Sequence, residues 1–231
     1  MDHEISVIQD PGTDSHVTVI PYTASQEVQP LHFDDLFAKF GRITWTKVHG
    51  SHGKEKRSSA WYTAAGCICP YVYSGKPWEA LSVTPWMYEL AKDIAKIFEI
   101  PEAVGPPNAI NFNFDKDRTQ GLWWHADKED LFKGPTGQAT IISLSLGSSK
   151  EFKLKRKYED DGDAVTTTLK SGDLLKMAGM TQSFYLHMVP EEACASSSSA
   201  TSHIRYNTTF RWVHRHTKKC ESAWSNSSRS I

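Results

Sequence analysis

The feature that most restricts the fold is a change of hydrophobic period along the chain. Before about residue 100 apolar residues recur at helical spacing, whereas from Ala109 onward they alternate with polar residues in short segments. No helical segment separates these strands, so alternating βαβ units do not fit the pattern. The predicted strands are 109–114, 139–146, 151–157, 165–169, 173–177 and 205–211. Together they predict an α+β fold whose body is a β-sandwich or jelly roll.

Two helices are predicted ahead of these strands. Residues 31–40 carry apolar side chains at helical spacing, and Gly41 ends the pattern. Pro85 suits the first position of a second, longer helix, for which Thr84 is a potential N-cap. Its apolar face continues as far as Ile100.

Other segments of the chain are predicted from their turn residues and charge. Residues 1–16 are polar and rich in turn residues, which predicts a loose arm, and 17–21 predict a short strand. Residues 49–59 form a basic stretch without apolar pattern and are predicted to be a loop. The low-complexity run 195–199 predicts a mobile loop inside the β body.

Size and composition fit one globular domain. The chain has 231 residues, 39% of them apolar and 23% charged, which is enough to bury a sizeable core. The net charge is −1, so a polyanionic partner would have to meet a local basic patch. No apolar run approaches the roughly 18 residues of a membrane-spanning helix, and the polar start predicts no signal peptide. We expect an intracellular monomer with no membrane partner.

The four cysteines give no disulfide framework. Cys67, Cys69, Cys194 and Cys220 are too few and too scattered for a disulfide scaffold. No partner residues that would complete a metal site around Cys67 and Cys69 are apparent in the sequence. These two are therefore predicted to be small buried residues.

A His-x-Asp pair is the first candidate for chemistry. In an extended segment His125 and Asp127 point to the same side, so they can occupy adjacent positions on one metal ion. His187, within 184–190, is a candidate third ligand. Two histidines and one carboxylate leave three positions open on non-haem Fe(II). The alternative is that these are unrelated surface or core histidines, because His-x-Asp is common by chance.

The predicted strand 205–211 places charge on one face. Arg205, Asn207, Thr209 and Arg211 alternate with aromatic and threonine side chains. Two arginines that face the interior of a barrel would be costly without anions, and guanidinium groups pair with carboxylates bidentately. A dicarboxylate ligand would satisfy them. The alternative is an edge strand whose arginines point to water.

In their order along the chain these motifs resemble a known family. His125-x-Asp127, His187 and the complete Arg-x-Asn-x-Thr-Phe-Arg string at 205–211 resemble the AlkB family of Fe(II)- and 2-oxoglutarate-dependent dioxygenases. Further similar stretches, in the same order, are 70–75, 142–147, 169–175 and 187–190. The resemblance covers residues 57 to 214. It implies that the catalytic core is a double-stranded β-helix, or jelly roll.

The resemblance gives the expected organisation of one domain over residues 1–231. A loose arm (1–16) would precede N-terminal helices and a nucleotide-recognition lid (17–100). The jelly-roll catalytic core (101–216) and a tail (217–231) would follow.

The resemblance also implies a role for individual residues. The implied Fe(II) ligands are His125, Asp127 and His187, and the implied 2-oxoglutarate ligands are Asn111, Asn113, Arg205, Asn207 and Arg211. With O2 as the other co-substrate, oxidation of a methyl group on nitrogen would release formaldehyde, succinate and CO2. The protein would supply positioning and a closed site.

One pair departs from the family pattern. The family usually has Asn-x-Tyr on the strand before the His-x-Asp turn, whereas this chain has Asn111-Phe-Asn113. Asn111 and Asn113 share a face and are the expected equivalents. Asn113 with Asp115 is the alternative register.

The expected substrate is an alkylated base in DNA or RNA. Aromatic residues occur where the family has its base-recognition lid, namely Trp61, Tyr62, Tyr71 and Tyr73. They could instead cover the core. Lys54, Lys56 and Arg57 could meet phosphates nearby. Glu129, two residues after Asp127, could accept a hydrogen bond from the exocyclic amine of adenine or cytosine.

A second basic stretch has two interpretations. Lys153, Lys155 and Lys157 alternate along a predicted strand and could form a phosphate track, or they could lie on a solvated hairpin. The basic run 214–219 is expected to be solvated only.

The resulting functional hypothesis is oxidative demethylation of 1-methyladenine or 3-methylcytosine type lesions. One alternative keeps the oxygenase chemistry but directs it to an RNA modification or a protein side chain. Another is a catalytically silent binder of modified nucleic acid, although the intact triad and arginines argue against it.

Overall fold

The computed structural model describes residues 4–29, 31–49, 55–73, 76–192 and 203–220. The strands within these residues are β1 (Ile5–Asp10), β2 (Ser15–Ile20), β3 (Thr46–His49), β4 (Glu55–Thr63), β5 (Tyr71–Tyr73), β6 (Lys76–Trp78), β7 (Leu81–Ser82), β8 (Ala109–Asp115), β9 (Leu122–His125), β10 (Ile141–Gly147), β11 (Lys150–Arg156), β12 (Val165–Leu169), β13 (Leu174–Gly179), β14 (Tyr185–Val189) and β15 (Arg205–Arg211). The α-helices are α1 (Tyr22–Val28), α2 (Phe33–Phe40), α3 (Pro85–Ile97) and α4 (Thr181–Phe184), and 3₁₀ turns span Asp130–Phe132 and Asp161–Asp163.

Two sheets face each other. The larger sheet has the order β1-β2-β13-β10-β15-β8-β4-β3, with β7 added in parallel to β4. The smaller sheet has the order β12-β11-β14-β9. Strands β5 and β6 form a separate hairpin. Helices on one side and a second sheet on the other give the α+β jelly-roll architecture that the strand pattern predicts.

The core has one layer on each side of the large sheet. On the helical side, α2 and α3 pack against outward residues of the central strands, such as Phe112 and Phe210. Between the sheets, Ile141 and Met177 of the large sheet pack against Phe152 and Leu154 of β11. A strand in the middle of the large sheet is therefore buried on both faces, so polar groups on its inner face must find partners inside the protein.

Most of the elements expected from periodicity are present. Strand β15 spans the predicted residues 205–211, and β12 spans 165–169. Helix α3 begins at Pro85 as predicted. Its N-cap is Thr84, but the Thr84 side chain makes no capping hydrogen bond.

The prediction of a loose N-terminal arm is wrong for residues 5–16. Strands β1 and β2 form a hairpin whose second strand pairs with β13 from Ile20 opposite Leu174 to Ser15 opposite Gly179. The polar turn between the strands dominated the composition of this stretch. The apolar residues Val17 and Val19, with Val7 and Ile8 beside them, nevertheless pack into the inter-sheet core.

The prediction of a basic loop at 49–59 is also wrong in part. Residues 55–63 form β4, which pairs with β8 from Ser58 opposite Phe114 to Thr63 opposite Ala109. Ser58 and Ser59 are buried although they are polar. The apolar pattern is missing there because this part of β4 lies beside a polar cavity described below.

Two predictions concern segments that lie wholly or partly outside the described residues. The low-complexity run 195–199 lies outside them, as do residues 221–231 of the predicted tail. Within the described part of that tail, Cys220 is fully buried next to Val213, so the protein fold extends beyond residue 216. No helix in the described ranges has both the length and the apolar character needed to span a membrane.

Candidate active site

Strands β9 and β14 of the smaller sheet, with the loop that follows β9, bring three metal-ligating side chains together. His125 ends β9 and pairs directly with His187 on β14, so their rings lie with centroids 4.1 Å apart. Asp127 follows β9, and its Oδ1 lies 3.8 Å from His125 Nε2. One ligand atom from each of the three residues lies within 4.8 Å of the others.

Hydrogen bonds fix the orientation of these side chains. The Nδ1 of His125 lies 2.8 Å from the carbonyl oxygen of Trp123 and must donate to it, which leaves Nε2 as the acceptor that faces the site. The backbone N–H of Asp127 donates to the Gln182 side chain at 2.9 Å. Arg211 Nη2 donates to Asp127 Oδ2. Such outer partners hold metal ligands in position.

The electrostatics favour the forms that bind a cation. Burial lowers the pKa of His187 to about 3, and burial also lowers the pKa of His125, so both imidazoles are neutral at pH 7. For Asp127, burial acts to raise the pKa, but the charge of the Arg211 guanidinium outweighs it and the pKa is lowered. Two neutral imidazoles and one carboxylate on one side of a cavity fit the donor set of a non-haem Fe(II) site.

Two residues that the sequence did not single out hold β9 against β14. A Cβ on Gly121 would lie 2.6 Å from the Val189 carbonyl oxygen, so only glycine allows this approach. Lys150 is 2% exposed, and its Nζ donates to the carbonyl oxygens of Arg118 and Gln120 at 2.8 Å and of Pro190 at 3.2 Å. Lys150 therefore ties together the two chain segments that carry the histidines.

A sequence signal for Lys150 did exist. Lys150 shares the alternation phase of Phe152 and Leu154, which point into the inter-sheet core, and differs in phase from Lys153 and Lys155. Gly121, by contrast, gives no such signal, because its role depends on how closely a distant strand approaches.

The arginines of β15 form the second part of the site. Strand β15 lies between β10 and β8 in the middle of the large sheet, so the alternative of an edge strand with solvated arginines is excluded. Arg205 and Arg211 are each 2% exposed and line one cavity with the three metal-ligating residues. The space inside this cavity and its mouth is about 720 Å³.

These guanidinium groups are only partly satisfied by the protein. Arg205 contacts Asp115 at 3.3 Å and donates to Ser145 Oγ at 3.0 Å. Among the described residues, the Nε atoms of Arg205 and Arg211 and the Nη1 of Arg211 find no hydrogen-bond acceptor. Buried donors of this kind normally have a partner. A ligand that brings carboxylate oxygens into the cavity would supply it.

The other residues expected around a dicarboxylate line the same cavity. They are Asn111, Asn113 and Asn207. Ser59 Oγ donates to Asn113 Oδ1 at 2.7 Å, and Asn207 Nδ2 donates to Ser143 Oγ at 2.5 Å.

The alternative register pairs Asn113 with Asp115, instead of Asn111, as residues that contact 2-oxoglutarate. Asp115 shares their face of β8, but its carboxylate pairs with Arg205.

Of the aromatic residues expected to contact a base, two are packed in the core and one lines the cavity. Trp61 and Tyr62 are 2% and 8% exposed and pack in different cores, and the indole of Trp61 donates to the Cys69 carbonyl oxygen at 2.9 Å. Their surroundings favour the packing alternative. Tyr71 lines the cavity, with the Arg211 guanidinium 5.4 Å from its ring centre. The side chains of Tyr73 and Lys56, and all of Lys54, lie outside what the structure describes.

Glu129 lies near Tyr71 and Asp127. Burial raises the pKa of its carboxyl group, and the nearby Asp127 charge adds to the effect. Tyr71 donates a hydrogen bond to Glu129. Among the described residues, Glu129 Oε2 is buried and has no donor. Arg57 also lines the cavity, so its mouth carries a positive charge.

The lysines at 153, 155 and 157, in and just after β11, do not form a continuous phosphate track. Lys153 pairs with Glu151 at 3.4 Å and Lys155 with Asp161 at 2.6 Å. Lys157 donates to backbone carbonyl oxygens of α4. Because local acidic or carbonyl groups already engage each lysine, the solvated-hairpin interpretation fits this strand.

The comparisons with known proteins agree with this geometry. A model of the 2OG-Fe(II) oxygenase superfamily matches residues 16–211. The DNA oxidative demethylase ALKBH2 of Arabidopsis thaliana is 29% identical over 200 residues, which is 74% of this chain and 59% of that protein. The alpha-ketoglutarate-dependent dioxygenase alkB homolog 3 of Bos taurus is 30% identical over 195 residues, 78% of this chain and 62% of that protein. The chain thus spans about three fifths of these two relatives.

A solved structure extends the likeness to the whole fold. The structure of OsALKBH1 superimposes with a TM-score of 0.56 at 16% sequence identity and covers 90% of this chain and 100% of the other. At this identity the likeness concerns the fold alone. Since the superfamily model spans most of the chain and the named relatives are AlkB homologues, the chain belongs to the 2OG-Fe(II) oxygenase superfamily and, within it, to the AlkB family.

Proposed function

We propose that this protein is an Fe(II)- and 2-oxoglutarate-dependent dioxygenase that removes N-methyl groups from bases in DNA or RNA. The observation that carries the proposal is the pair of buried arginines with unfilled hydrogen-bond donors, in one cavity with two neutral histidines and an ionised aspartate. A cation alone would leave those donors unsatisfied. A cation together with a dicarboxylate satisfies both halves of the site.

The roles proposed for the residues follow from their positions. His125, Asp127 and His187 hold Fe(II), and Arg205 and Arg211 bind the carboxylates of 2-oxoglutarate. The amides that line the same cavity, Asn111, Asn113 and Asn207, complete the co-substrate site. When bound, Fe(II) with 2-oxoglutarate and O2 supplies the oxidation that converts an N-methyl group to N-hydroxymethyl, yielding succinate and CO2. The hydroxymethyl group then leaves as formaldehyde.

Arg211 has two partners in this scheme. Its Nη2 holds the Asp127 carboxylate, and its Nε and Nη1 remain for the co-substrate. One guanidinium therefore sets the distance between the metal ligand and the dicarboxylate. A fixed planar fork does this better than a flexible ammonium group.

The substrate side of the proposal rests on the cavity mouth. Tyr71 and Trp78 line the cavity and offer aromatic surface to a base taken out of the stack, and Arg57 offers charge to a phosphate. Glu129 Oε2 is available to accept from an exocyclic amine. Trp123 is 72% exposed next to the cavity residue Leu122 and offers a further stacking surface. The name of the Arabidopsis relative, a DNA oxidative demethylase, supports nucleic acid as the substrate.

The organisation proposed for the chain is a single domain that acts as a monomer inside the cell. Support for one domain comes from β2 and β4, which pair with β13 and β8 of the predicted catalytic core in one sheet. The monomeric state is a prediction that analytical ultracentrifugation tests. The location inside the cell is a second prediction, which microscopy of the tagged full chain tests.

The test is release of formaldehyde and succinate by the full chain with Fe(II), 2-oxoglutarate and ascorbate. The substrates are oligonucleotides with 1-methyladenine or 3-methylcytosine in single-stranded DNA, duplex DNA and RNA, each beside its unmethylated control. We expect formaldehyde only with methylated strands. Succinate that forms at the same rate without any strand would redirect the proposal to a protein or other substrate. Absence of succinate from iron-loaded, folded protein would support a silent binder instead.

A further inference from the structure

A second group of metal-ligating side chains lies outside the cavity described above. Cys67, Cys69, Cys220 and His216 each offer one ligand atom, and all four atoms lie within 4.8 Å of one another. The three cysteines are buried, with 9%, 0% and 0% exposure respectively, and they are thiols rather than disulfide partners. No local motif marks this group, because His216 and Cys220 follow Cys67 by about 150 residues.

The distances within this Cys₃His cluster match a tetrahedral zinc ion. The Nδ1 of His216 lies 3.6 Å from Cys67 Sγ, 3.6 Å from Cys69 Sγ and 3.3 Å from Cys220 Sγ. A tetrahedron with Zn–S of about 2.3 Å and Zn–N of about 2.0–2.1 Å has S···N edges of about 3.6 Å. The three imidazole-to-sulfur distances therefore fit one tetrahedral ion, and all four ligand atoms lie within 4.8 Å of one another.

The local backbone is built to present these ligands. Cys67 and Cys69 lie in the loop between β4 and β5, and Gly66 before them has a positive φ of 83° that lets the loop turn. His216 and Cys220 lie after β15 and are spaced as His-x₃-Cys, with a turn in which the Cys220 N–H donates to the Thr217 carbonyl oxygen at 2.9 Å. The three-residue spacing of His216 and Cys220 lies within the usual range for a pair of zinc ligands, and Cys67 and Cys69 are one residue closer than the usual Cys-x₂₋₄-Cys pair.

Hydrogen bonds around the cluster hold the ligands in place. The Thr217 N–H donates to Cys69 Sγ at 3.3 Å, the contact that a metal-bound thiolate commonly accepts. The carbonyl groups of Cys67 and Cys69 accept from Thr63 Oγ1 at 2.6 Å and from Trp61 Nε1 at 2.9 Å. The loop is thus fixed by bonds that do not depend on the sulfur atoms.

We propose that Cys67, Cys69, His216 and Cys220 bind one Zn²⁺ ion in a closed structural site. Three sulfur ligands and one imidazole select a thiophilic ion, and four protein ligands leave no position for a substrate. This site is separate from the proposed Fe(II) site and does not depend on the proposed demethylase activity.

The zinc site has a structural consequence for the catalytic cavity. It ties the segment after β15 to the loop that leads into β5, and Tyr71 of β5 follows Cys69 by two residues. Tyr71 lines the cavity near Arg211 and Glu129. The backbone N–H groups of His214 and Arg215 also donate to the Leu131 carbonyl oxygen. Zinc therefore holds the substrate-side wall of the cavity against the end of β15.

The test is the metal content and the cobalt spectrum of the full chain. Protein purified without chelators is analysed for zinc, iron and copper per chain by mass spectrometry. Zinc is then replaced by Co²⁺, which reports tetrahedral sulfur coordination through sulfur-to-cobalt charge-transfer bands and intense visible d–d bands. We expect one zinc per chain and this spectrum. Zinc below about a tenth of an equivalent, with three buried thiols that no metal protects, would overturn the proposal, as would copper(I) in its place.

Matched variants locate the ion. Cys69→Ser and His216→Ala should each lose the zinc, whereas His216→Cys should retain it. His214→Ala changes a neighbouring histidine and should leave the zinc content unchanged. The double variant His125→Ala with His187→Ala should also retain the zinc. Zinc that disappears from this double variant, or persists in Cys69→Ser, would contradict the assignment. Should the cysteine variant fail to fold, the zinc content and cobalt spectrum of the unaltered chain still decide the question.

Discussion

The two groups of metal ligands in this protein differ in chemistry and in construction. The group of His125, Asp127 and His187 has nitrogen and oxygen donors on two adjacent strands and the loop that follows them. The Cys₃His cluster has mainly sulfur donors on two loops, and the loops are far apart in the chain. Three ligands beside a cavity leave positions open on a metal, whereas four ligands close it.

If both proposals hold, one fold keeps a reactive and an inert metal apart by the chemistry of their ligands. Hard and borderline donors at the cavity suit Fe(II), and thiolates at the outer site suit zinc. Because thiolates favour zinc, we expect zinc at the Cys₃His cluster and Fe(II) at the cavity. The two sites are not independent if substitution of a ligand in one group changes the metal content of the other.

The largest expected effect comes from removal of one ligand at the open site. His187→Ala should lower demethylation-coupled succinate formation on the order of 10³-fold, about 4 kcal/mol in activation free energy, because the proposed Fe(II) loses one of three ligands. Zinc content should stay at one per chain. His214→Ala is the control, since His214 is exposed and outside both groups. Retained turnover in the His187 variant would remove His187 from the proposed ligand set.

A smaller effect is expected from the arginine that joins the metal and the dicarboxylate. Arg211→Lys keeps the charge but removes the Nε and Nη1 donors, so the KM for 2-oxoglutarate should rise about 10- to 100-fold. Steady-state kinetics at saturating methylated strand measures this change.

Arg215→Lys alters an exposed arginine near the Cys₃His cluster and serves as the matched control. An unchanged requirement for 2-oxoglutarate in Arg211→Lys would argue against the anchoring role.

The close contact of β9 with β14 gives a third prediction. Gly121→Ala places a Cβ against the Val189 carbonyl oxygen and should lower the free energy of unfolding by about 1–3 kcal/mol. Iron occupancy should fall as well, while zinc content stays constant. Gly162→Ala is the control, because a Cβ there meets nothing within 4 Å. Denaturant unfolding of both variants, with metal analysis, tests the point. Equal stability of the two would mean that the strands can separate without cost.

The smallest effect concerns the pH dependence of the iron-free protein. The pKa of His187 is about 3 in the folded state and 6.5 in its reference state, so the unfolded chain binds the proton first as pH falls. The stabilisation from neutral His187 is complete above pH 6.5 and is lost progressively below it, by about 1.4 kcal/mol at one pH unit lower.

The difference in unfolding free energy between the unaltered chain and His187→Gln should therefore shift by that amount between pH 7.5 and pH 5.5. The Cys₃His cluster is common to both proteins and cancels from the difference. A pH-independent difference would show that His187 is not buried in its neutral form.

Local patterns were sufficient where an element carries its own signal. The alternation in β15 and the helical spacing in α3 identified both elements with their ends at or near the observed residues. The motif of His125, Asp127 and His187 identified a group that the fold does bring together. In β15 and α3 the informative residues are neighbours in sequence, and for His187 the signal was the order of the motifs along the chain.

Local patterns failed where polar residues are buried for reasons of tertiary structure. The composition of residues 55–59 predicts a loop where the structure has strand β4, because the polar side chain of Ser59 is buried against the Asn113 amide. The composition of residues 5–16 predicts an arm where the structure has hairpin β1–β2, because the pairing partner of this hairpin, β13, lies more than 150 residues away in the chain. Backbone pairing of this kind leaves no mark on local composition.

The sequence by itself determined the strand-rich body, the order of the motifs and the family. Only the tertiary structure decided that Lys150 holds the two histidine-bearing segments together, that Arg205 and Arg211 keep unfilled donors inside the cavity, and that four scattered residues form the Cys₃His cluster. The physical reason is the length scale of the interactions. Hydrogen bonds and metal bonds act over 2 to 4 Å, and which distant segments come that close is fixed by the packing of the two sheets rather than by any local pattern.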